Sequence, residues 1–163
     1  MTKRKKQKIV HLPSPLEYAV AVTPDVSGHF EQGLQSLQSS DKDKSLIDYE
    51  DGKKIKGSVY LDQATRNLVH PYPKRWDYVI EYADKIFYYE PHPASGGHNV
   101  DEVCGKAEWL HWWLNNNAPQ IKSLGTEGFF WIHTGKCDID KNSQQYKRLL
   151  DKGVRLQSRL YMK

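Results

Sequence analysis

Residues 76–114 read WDYVIEYADKIFYYEPHPASGGHNVDEVCGKAEWLHWWL, and this stretch decides the fold. Polar and apolar side chains alternate over 75–82 and again over 85–92, which is the pattern of two strands. Ala83-Asp84 between them predicts a two-residue turn. An amphipathic segment follows and predicts a long helix that ends at about Asn116. The stretch is therefore predicted to form a β-hairpin followed by a helix.

Local signals set the boundaries of these elements. Asn99 is predicted to cap the helix, with Glu102 three residues later as its capping-box partner. Pro91 and Pro93 cannot donate to a strand ladder, so regular pairing is predicted to fail around His92. The second strand is therefore expected to end where a site opens to solvent.

The flanking sequence predicts further elements of both kinds. Apolar residues at helical spacing after Pro24-Asp25, namely Phe30, Leu34 and Leu37, predict a first helix. Three more strands are predicted over 57–62, 128–134 and 154–162, and a short helix over 142–152. This order predicts an α/β fold with a mixed central sheet.

Size and composition favour one domain. A chain of 163 residues can bury a normal hydrophobic core. No apolar run approaches the roughly 20 residues of a membrane-spanning helix, and the basic N-terminus lacks the apolar segment of a secretory signal. We therefore expect a cytoplasmic protein with no membrane partner, built from a flexible basic arm at 1–15 and a single domain at 16–163.

The positive charge of the chain is concentrated at its N-terminus. Without the five basic residues of the arm, the net charge of +4 becomes a balance of 19 basic and 20 acidic residues. Such an arm can add salt-dependent affinity for nucleic acid, and a solvated terminus is the alternative. The arm residues in question are Lys3, Arg4, Lys5, Lys6 and Lys8.

Four residues of the opening stretch form a candidate site. Asp77 lies on the first predicted strand, Glu90 and His92 on the second, and Lys106 on the helix, close to its apolar stripe. Two carboxylates on paired strands can share a hard divalent cation, and a neighbouring basic residue can orient water or stabilise charge on a phosphate. A solvated hairpin with a lysine that extends to solvent is the alternative.

This arrangement resembles the PD-(D/E)XK (restriction-endonuclease-like) superfamily over roughly residues 24–134, as a divergent member with E-x-H in place of E-x-K. By this resemblance, Asp77 and Glu90 are the metal-binding acids, and Glu31 on the first helix is an additional acid. His92 occupies the place of the motif lysine, and Lys106 matches members that carry the lysine on the following helix.

The resemblance implies a fold, a cofactor and an activity. The fold is the α-β-β-β-α-β core of the superfamily, here with an added C-terminal helix and strand. The activity is metal-dependent hydrolysis of DNA with Mg²⁺ or Mn²⁺, catalysed by Asp77, Glu90, His92 and Lys106. Lys74 would help to bind phosphate together with Arg75 and the basic arm. The alternative is an inactive module of the same fold that binds nucleic acid or a protein.

Other residues suggest weaker possibilities. The histidines and cysteines that could form a zinc site are His92, His98, Cys104, His133 and Cys137. They are far apart in the sequence and form no paired CxxC or HExxH motif, so structural zinc is not expected. Trp109, Trp112 and Trp113 point in different directions around the helix. We expect another layer of the chain, a homodimer partner or another protein to cover them.

Overall fold

The computed structural model describes residues 10–163. The strands are β1 (Glu31–Gln32), β2 (Ile47–Tyr49), β3 (Ile55–Tyr60), β4 (Tyr78–Tyr82), β5 (Lys85–Ala94), β6 (Gly128–Cys137), β7 (Val154–Gln157) and β8 (Leu160–Met162). The helices are α1 (Pro15–Ala21), α2 (Leu61–Ala64), α3 (Gly97–Asn116), α4 (Pro119–Lys122) and α5 (Gln144–Asp151). Within residues 10–163, none of the helices combines the length and apolar content needed to cross a bilayer.

Six strands form one mixed sheet in the order β1-β3-β4-β5-β6-β7. The strands from β1 to β5 in this order pair antiparallel, whereas β5, β6 and β7 pair parallel. Since parallel neighbours require a crossover, α3 and α4 connect β5 to β6, and α5 connects β6 to β7. The predicted α/β class with a mixed sheet is confirmed. A separate parallel pair consists of β2 and β8.

Apolar layers cover both faces of the sheet. One face contributes Val79, Tyr88 and Trp131 to a core shared with the helices. The opposite face packs against the segment that contains Leu37 and against β8. Because β4 lies between these layers, all its residues are buried, including Glu81.

The short helix α1 is not among the predicted elements. Pro15 lies in the first helical turn, where a missing N–H loses no hydrogen bond. Ser14 caps the helix, and Glu17 completes a capping box. The predicted arm therefore stops short of residue 15, and its residues 1–9 lie outside those the structure describes.

Glu81 connects α1 to the central sheet. Its Oε2 accepts hydrogen bonds from Ser14 Oγ at 2.6 Å and from the Leu16 N–H at 3.2 Å. Burial raises the pKa of Glu81, while the bonds from Ser14 and Leu16 and the charge of Lys56 oppose this shift. The carboxyl group thus satisfies two donors at the start of α1 from inside the core.

The predicted helix after Pro24-Asp25 is wrong. This segment forms turns and the edge strand β1 instead. Gly28 and Gly33 adopt positive φ angles of 84° and 56°, which interrupt a right-handed helix. The helical spacing of apolar residues was misleading because Leu37 packs on the far face of the sheet, whereas Phe30 packs against the helix-side core.

The predicted capping box of α3 is also wrong. The helix starts at Gly97, so Asn99 lies inside its first turn. The Asn99 side chain accepts hydrogen bonds from the Ser95 N–H and hydroxyl at 2.9 and 3.0 Å. The asparagine therefore stabilises the entry to the helix by reaching back to the preceding turn.

Two strand predictions also differ from the structure. Strand β5 continues through Pro91 and Pro93, and both prolines have pairing partners on β6. The pairing of β5 with β4 stops at Tyr89. After Tyr89, this edge of β5 has no partner strand that needs an N–H donor, so proline is tolerated there. The predicted strand 154–162 is divided into β7 in the main sheet and β8 in the small one.

The tryptophans of α3 mostly face the interior. Trp109 and Trp113 are fully buried and stack with ring centroids 5.5 Å apart. The Trp113 indole N–H donates to Asp25 Oδ2 at 3.0 Å, so the N-terminal segment supplies part of the covering layer. Trp112 is partly buried beside Tyr72. Trp109 and Trp113 are thus unavailable to a homodimer or protein partner.

A pair of glycine substitutions tests the packing of this sheet. A Cβ at Gly57 would clash with the Phe30 ring and lie 2.7 Å from the Glu31 carbonyl oxygen, whereas a Cβ at Gly105 meets nothing within 4 Å. We expect Gly57→Ala to lower the free energy of unfolding by about 1–3 kcal/mol. Gly105→Ala should raise it by about 0.5–1 kcal/mol. Urea denaturation measures both, and equal effects would contradict the close β1–β3 approach.

The raised pKa of Glu81 predicts a pH-dependent contribution to stability. A carboxyl group whose pKa is higher in the folded than in the unfolded protein stabilises the folded state. This contribution is complete below the unfolded-state pKa of about 4.3 and is lost as the pH rises. We expect the stability of the wild type relative to Glu81→Gln to decrease from pH 4 to pH 7. Urea denaturation of both proteins at each pH measures the difference, and an increase with pH would contradict the buried environment.

Candidate active site

Asp77 and Glu90 meet on the helix-covered side of the sheet. Glu90 lies on β5, whereas Asp77 lies immediately before β4 and not on the strand as predicted; the register Tyr78↔Tyr89 places the two residues opposite each other. The Asp77 N–H donates to Glu90 Oε2 at 2.8 Å, so the two residues are joined directly. The strand parity read from the sequence thus brings both carboxylates to one face.

Lys106 of α3 lies between the two carboxylates. Its Nζ is 3.1 Å from Asp77 Oδ1 and 2.5 Å from Glu90 Oε1. The Lys106 side chain is 15% exposed, the Asp77 side chain 14% and the Glu90 side chain 0%. The lysine therefore turns inward and forms a buried triad with the two acids, instead of extending to solvent as in the alternative prediction.

Burial and charge act against each other in this triad. Burial raises the pKa of Glu90 well above its usual range and raises that of Asp77, while Lys106 opposes both shifts. Burial alone would lower the pKa of Lys106, but Glu90 and Asp77 outweigh it and raise that pKa. With all three groups ionised the triad carries one net negative charge, which favours a further cation.

A line of polar side chains leads from the triad to the surface. His92 Nδ1 lies 3.9 Å from Glu90 Oε1, and His92 Nε2 lies 2.9 Å from Glu102 Oε2, a contact without good hydrogen-bond alignment. Glu102 in turn contacts Lys74 Nζ at 3.3 Å. Burial and the charge of Lys106 lower the pKa of His92, against the effect of Glu102. The imidazole is therefore close to the triad and held from its outer side.

Two further acids influence the triad. The charges of Asp62 and Asp41 raise the pKa of Asp77, after the larger effect of burial. Asp62 forms an ion pair with Arg75 at 2.9 Å, and Asp41 accepts a hydrogen bond from the Tyr78 hydroxyl at 2.7 Å. Negative charge thus extends beyond Asp77 and Glu90 along this end of the sheet.

Sequence reasoning missed Glu102, Asp62 and Asp41 as neighbours of the site. Glu102 lies four residues before Lys106 on α3, so helical spacing was a usable signal. Asp62 lies in α2, which follows β3, and the N–H of the preceding Leu61 donates to the Asp77 carbonyl oxygen at 2.6 Å. Asp41 lies in a turn segment, for which the sequence contained no positional signal.

The remaining candidate residues are placed as follows. Glu31 is exposed on the edge strand β1 opposite Ser58 of β3, not on a first helix, and it makes no contact with the triad. Lys74 and Arg75 lie just before Asp77, and both are paired with acids. The predicted nucleic-acid-binding residues Lys3, Arg4, Lys5, Lys6 and Lys8 lie outside the described residues.

The cysteines and histidines do not assemble a metal site. Among residues 10–163, no group of three or more His, Cys, Asp or Glu side chains is arranged to hold a metal ion. Cys104 is buried, and burial raises the pKa of its thiol. His133 Nδ1 lies 2.7 Å from the Gly135 carbonyl oxygen, which identifies this nitrogen as a donor.

The triad of Asp77, Glu90 and Lys106 has groups that could bind a cation and donate hydrogen bonds. Two hard oxygen ligands on rigid neighbouring strands suit a cation that keeps several of its waters. An ammonium group next to them can donate hydrogen bonds to water or to a phosphate oxygen. The same triad, without a ligand, is an ion cluster that ties α3 to the sheet.

The contribution of Lys106 to stability can be measured. Lys106→Met leaves two buried carboxylates without their cation, so we expect the free energy of unfolding to fall by about 3–5 kcal/mol. Adding Glu90→Gln should restore part of this loss, because it removes one of the charges. Lys141→Met, at an exposed position, is the control and should change stability by less than about 0.5 kcal/mol. Chemical denaturation measures all four proteins, and equal stability of the two single variants would contradict the buried triad.

Comparisons with known proteins assign no family to this fold and site. No protein-family model, no curated protein and no solved structure matches the chain.

Proposed function

We propose that the chain is a metal-dependent nuclease that hydrolyses phosphodiester bonds in DNA. The observation that carries this proposal is the position of Lys106 between Glu90 of β5 and Asp77, which lies immediately before β4. The two acids could bind a cation, and the lysine beside them could contact an attacking water or a phosphate.

The acids fit Mg²⁺ or Mn²⁺ in their chemistry. Magnesium is commonly held by one or two carboxylates, with waters and substrate phosphate completing its coordination. Asp77 and Glu90 would hold the ion, whereas Glu31 is too far along the sheet edge to join them. The bound ion would lower the pKa of a water molecule and neutralise charge on the phosphate.

The neighbouring side chains would have separate roles in the reaction. Lys106 Nζ would orient the attacking water or donate to a phosphate oxygen as negative charge develops on it. His92 is a second polar group beside Glu90, and Glu102 lies against its outer side. Lys74 and Arg75 would bind the flanking phosphates of DNA after exchanging their acidic partners.

The order of elements supports a PD-(D/E)XK-like assignment within this proposal. Helix α1 precedes the antiparallel strands β3, β4 and β5, and α3 then leads to β6, which is parallel to β5. Glu90 lies on the third of these strands and Asp77 immediately before the second, close to the positions that the resemblance implies. E-x-H in place of E-x-K is compatible with the lysine position on α3.

A second candidate is an inactive module of the same fold that binds nucleic acid or a protein. The observation in its favour is that Lys106 already contacts both carboxylates, so a metal ion has to compete with an internal cation. In that case the triad serves stability alone, and binding depends on the basic arm or another surface.

Cleavage assays test the first candidate. We expect supercoiled plasmid or single-stranded DNA to be cut in Mg²⁺ or Mn²⁺ and not in EDTA. Asp77→Asn should reduce the rate by about 100-fold or more, as for the loss of other groups that act on the transition state. Glu81→Gln is the matched control, since it changes a buried acid of β4, four residues after Asp77 and outside the triad, and should leave the rate unchanged.

Metal titration separates the two candidates. Calorimetry with Mn²⁺ should detect binding to the wild type and Glu81→Gln but not to Asp77→Asn. Equal residual cleavage by the wild type and Asp77→Asn contradicts the nuclease. DNA binding without Mn²⁺ binding favours the inactive module.

A further inference from the structure

Two adjacent basic residues close to the triad are each paired with an acid. Lys74 and Arg75 belong to the connection between α2 and β4, shortly before Asp77. Lys74 Nζ lies 3.3 Å from Glu102 Oε1, and Arg75 Nε lies 2.9 Å from Asp62 Oδ1. Among residues 10–163, neither cation forms another ion pair. A phosphate that approaches Asp77 along this connection therefore meets cations that already have a carboxylate partner.

The two ion pairs differ in what they leave available to a phosphate. Arg75 contacts Asp62 through Nε alone, so the terminal nitrogens of its guanidinium group can still donate. Lys74 carries its charge on a single nitrogen, and Glu102 contacts that nitrogen directly. Glu102 is therefore the acid that competes most directly with a phosphate.

Glu102 contacts two basic side chains at once. Its Oε1 lies next to Lys74, and its Oε2 lies 2.9 Å from His92 Nε2, which is buried and has no well-aligned hydrogen bond within the described part of the chain. Burial acts to raise the pKa of Glu102, but Lys74 and His92 outweigh it and lower that pKa. The result is a carboxylate anion between an ammonium group and an imidazole, which are also common partners of a phosphate.

The place of this carboxylate is accessible and close to the triad. The Glu102 side chain is 36% exposed and the Lys74 side chain 42%, so a ligand can reach both from solvent. His92 Nδ1 lies 3.9 Å from Glu90 Oε1, so one imidazole ring separates the Glu102 carboxylate from the triad. Exposed ion pairs contribute little to stability, so Glu102 can move away from Lys74 at low cost.

We propose that the Glu102 carboxylate occupies the place of a DNA phosphate between Lys74 and His92, and that DNA binds by displacing it. This inference rests on the proposed nuclease function, because the phosphate belongs to the strand that the triad would cleave. Glu102 thus acts as an internal competitor that lowers the affinity for DNA. When it moves away, Lys74 Nζ and His92 Nε2 become available to the phosphate oxygens.

Fluorescence anisotropy with a short labelled DNA, in EDTA to prevent cleavage, tests the proposal. We expect Glu102→Gln to bind DNA about two- to fivefold more tightly than the wild type, the range for one exposed ion pair. Glu127→Gln is the matched control, because it removes the same charge from an exposed acid without an ion pair among residues 10–163, near the start of β5 and not its end. At physiological salt it should change the affinity by less than about 1.5-fold.

A second background separates the masking of Lys74 from simple repulsion between Glu102 and DNA. In Lys74→Ala, the further change Glu102→Gln should tighten binding by less than about 1.5-fold, because no lysine remains to be released. The same gain with and without Lys74 overturns the proposal. Equal affinities of Glu102→Gln and Glu127→Gln overturn it as well, as does the absence of DNA binding by a folded Glu102→Gln. Its melting temperature shows whether that variant is folded.

Cleavage of the same DNA in Mg²⁺ distinguishes this inference from the proposed function. Tighter binding by Glu102→Gln without cleavage by any of the proteins contradicts the nuclease and leaves Glu102 as a competitor for phosphate. Cleavage by the wild type without tighter binding by Glu102→Gln overturns the role of Glu102 and leaves the nuclease.

Discussion

The salt bridge of Lys106 with Asp77 and Glu90 is the interaction on which the arrangement of this protein depends. Glu90 is fully buried, and moving such a charge out of water is unfavourable unless a counter-charge lies beside it. Lys106 supplies that charge from α3, so the helix must cross the sheet where β4 and β5 bring the acids together. The apolar residues of α3 reinforce this position, because Val103, Ala107 and Leu110 belong to the same core as the sheet.

The sequence predicted this part of the fold because its signals are local. Strand alternation determined that Asp77 and Glu90 share a face, and helical angles brought Lys106 toward it. The helix after Pro24-Asp25 was predicted wrongly for the opposite reason. Its apolar residues pack on different faces of the sheet, so their spacing reflects tertiary contacts and not a helix. The pairing of Pro91 depended on a strand neighbour that a local pattern does not contain. The start of α1, by contrast, has a local signal in the capping box of Ser14 and Glu17, which the prediction did not use.

The surroundings of the triad were much less predictable than the triad. Asp41 reaches the site through the Tyr78 hydroxyl, across a long loop with no recognisable motif. Asp62 is positioned by the pairing of β3 with β4, so its distance from Asp77 depends on strand register. Glu102 is the exception, since it shares α3 with Lys106. Residues that follow regular geometry were within reach of sequence reasoning, whereas those positioned by loops were not.

Stability and the proposed catalysis would make opposing demands on Lys106. As a structural cation it should remain against both carboxylates, but a metal ion bound by the same oxygens reduces their attraction for the ammonium group. Lys106 contacts Asp77 through Oδ1, and the Asp77 side chain is slightly exposed, so a hydrated ion can approach the second oxygen first. Under the proposed function, Asp77 and Glu90 would hold the ion and Lys106 would be available to donate to water or phosphate. The three side chains that tie α3 to the sheet would then also form the proposed site.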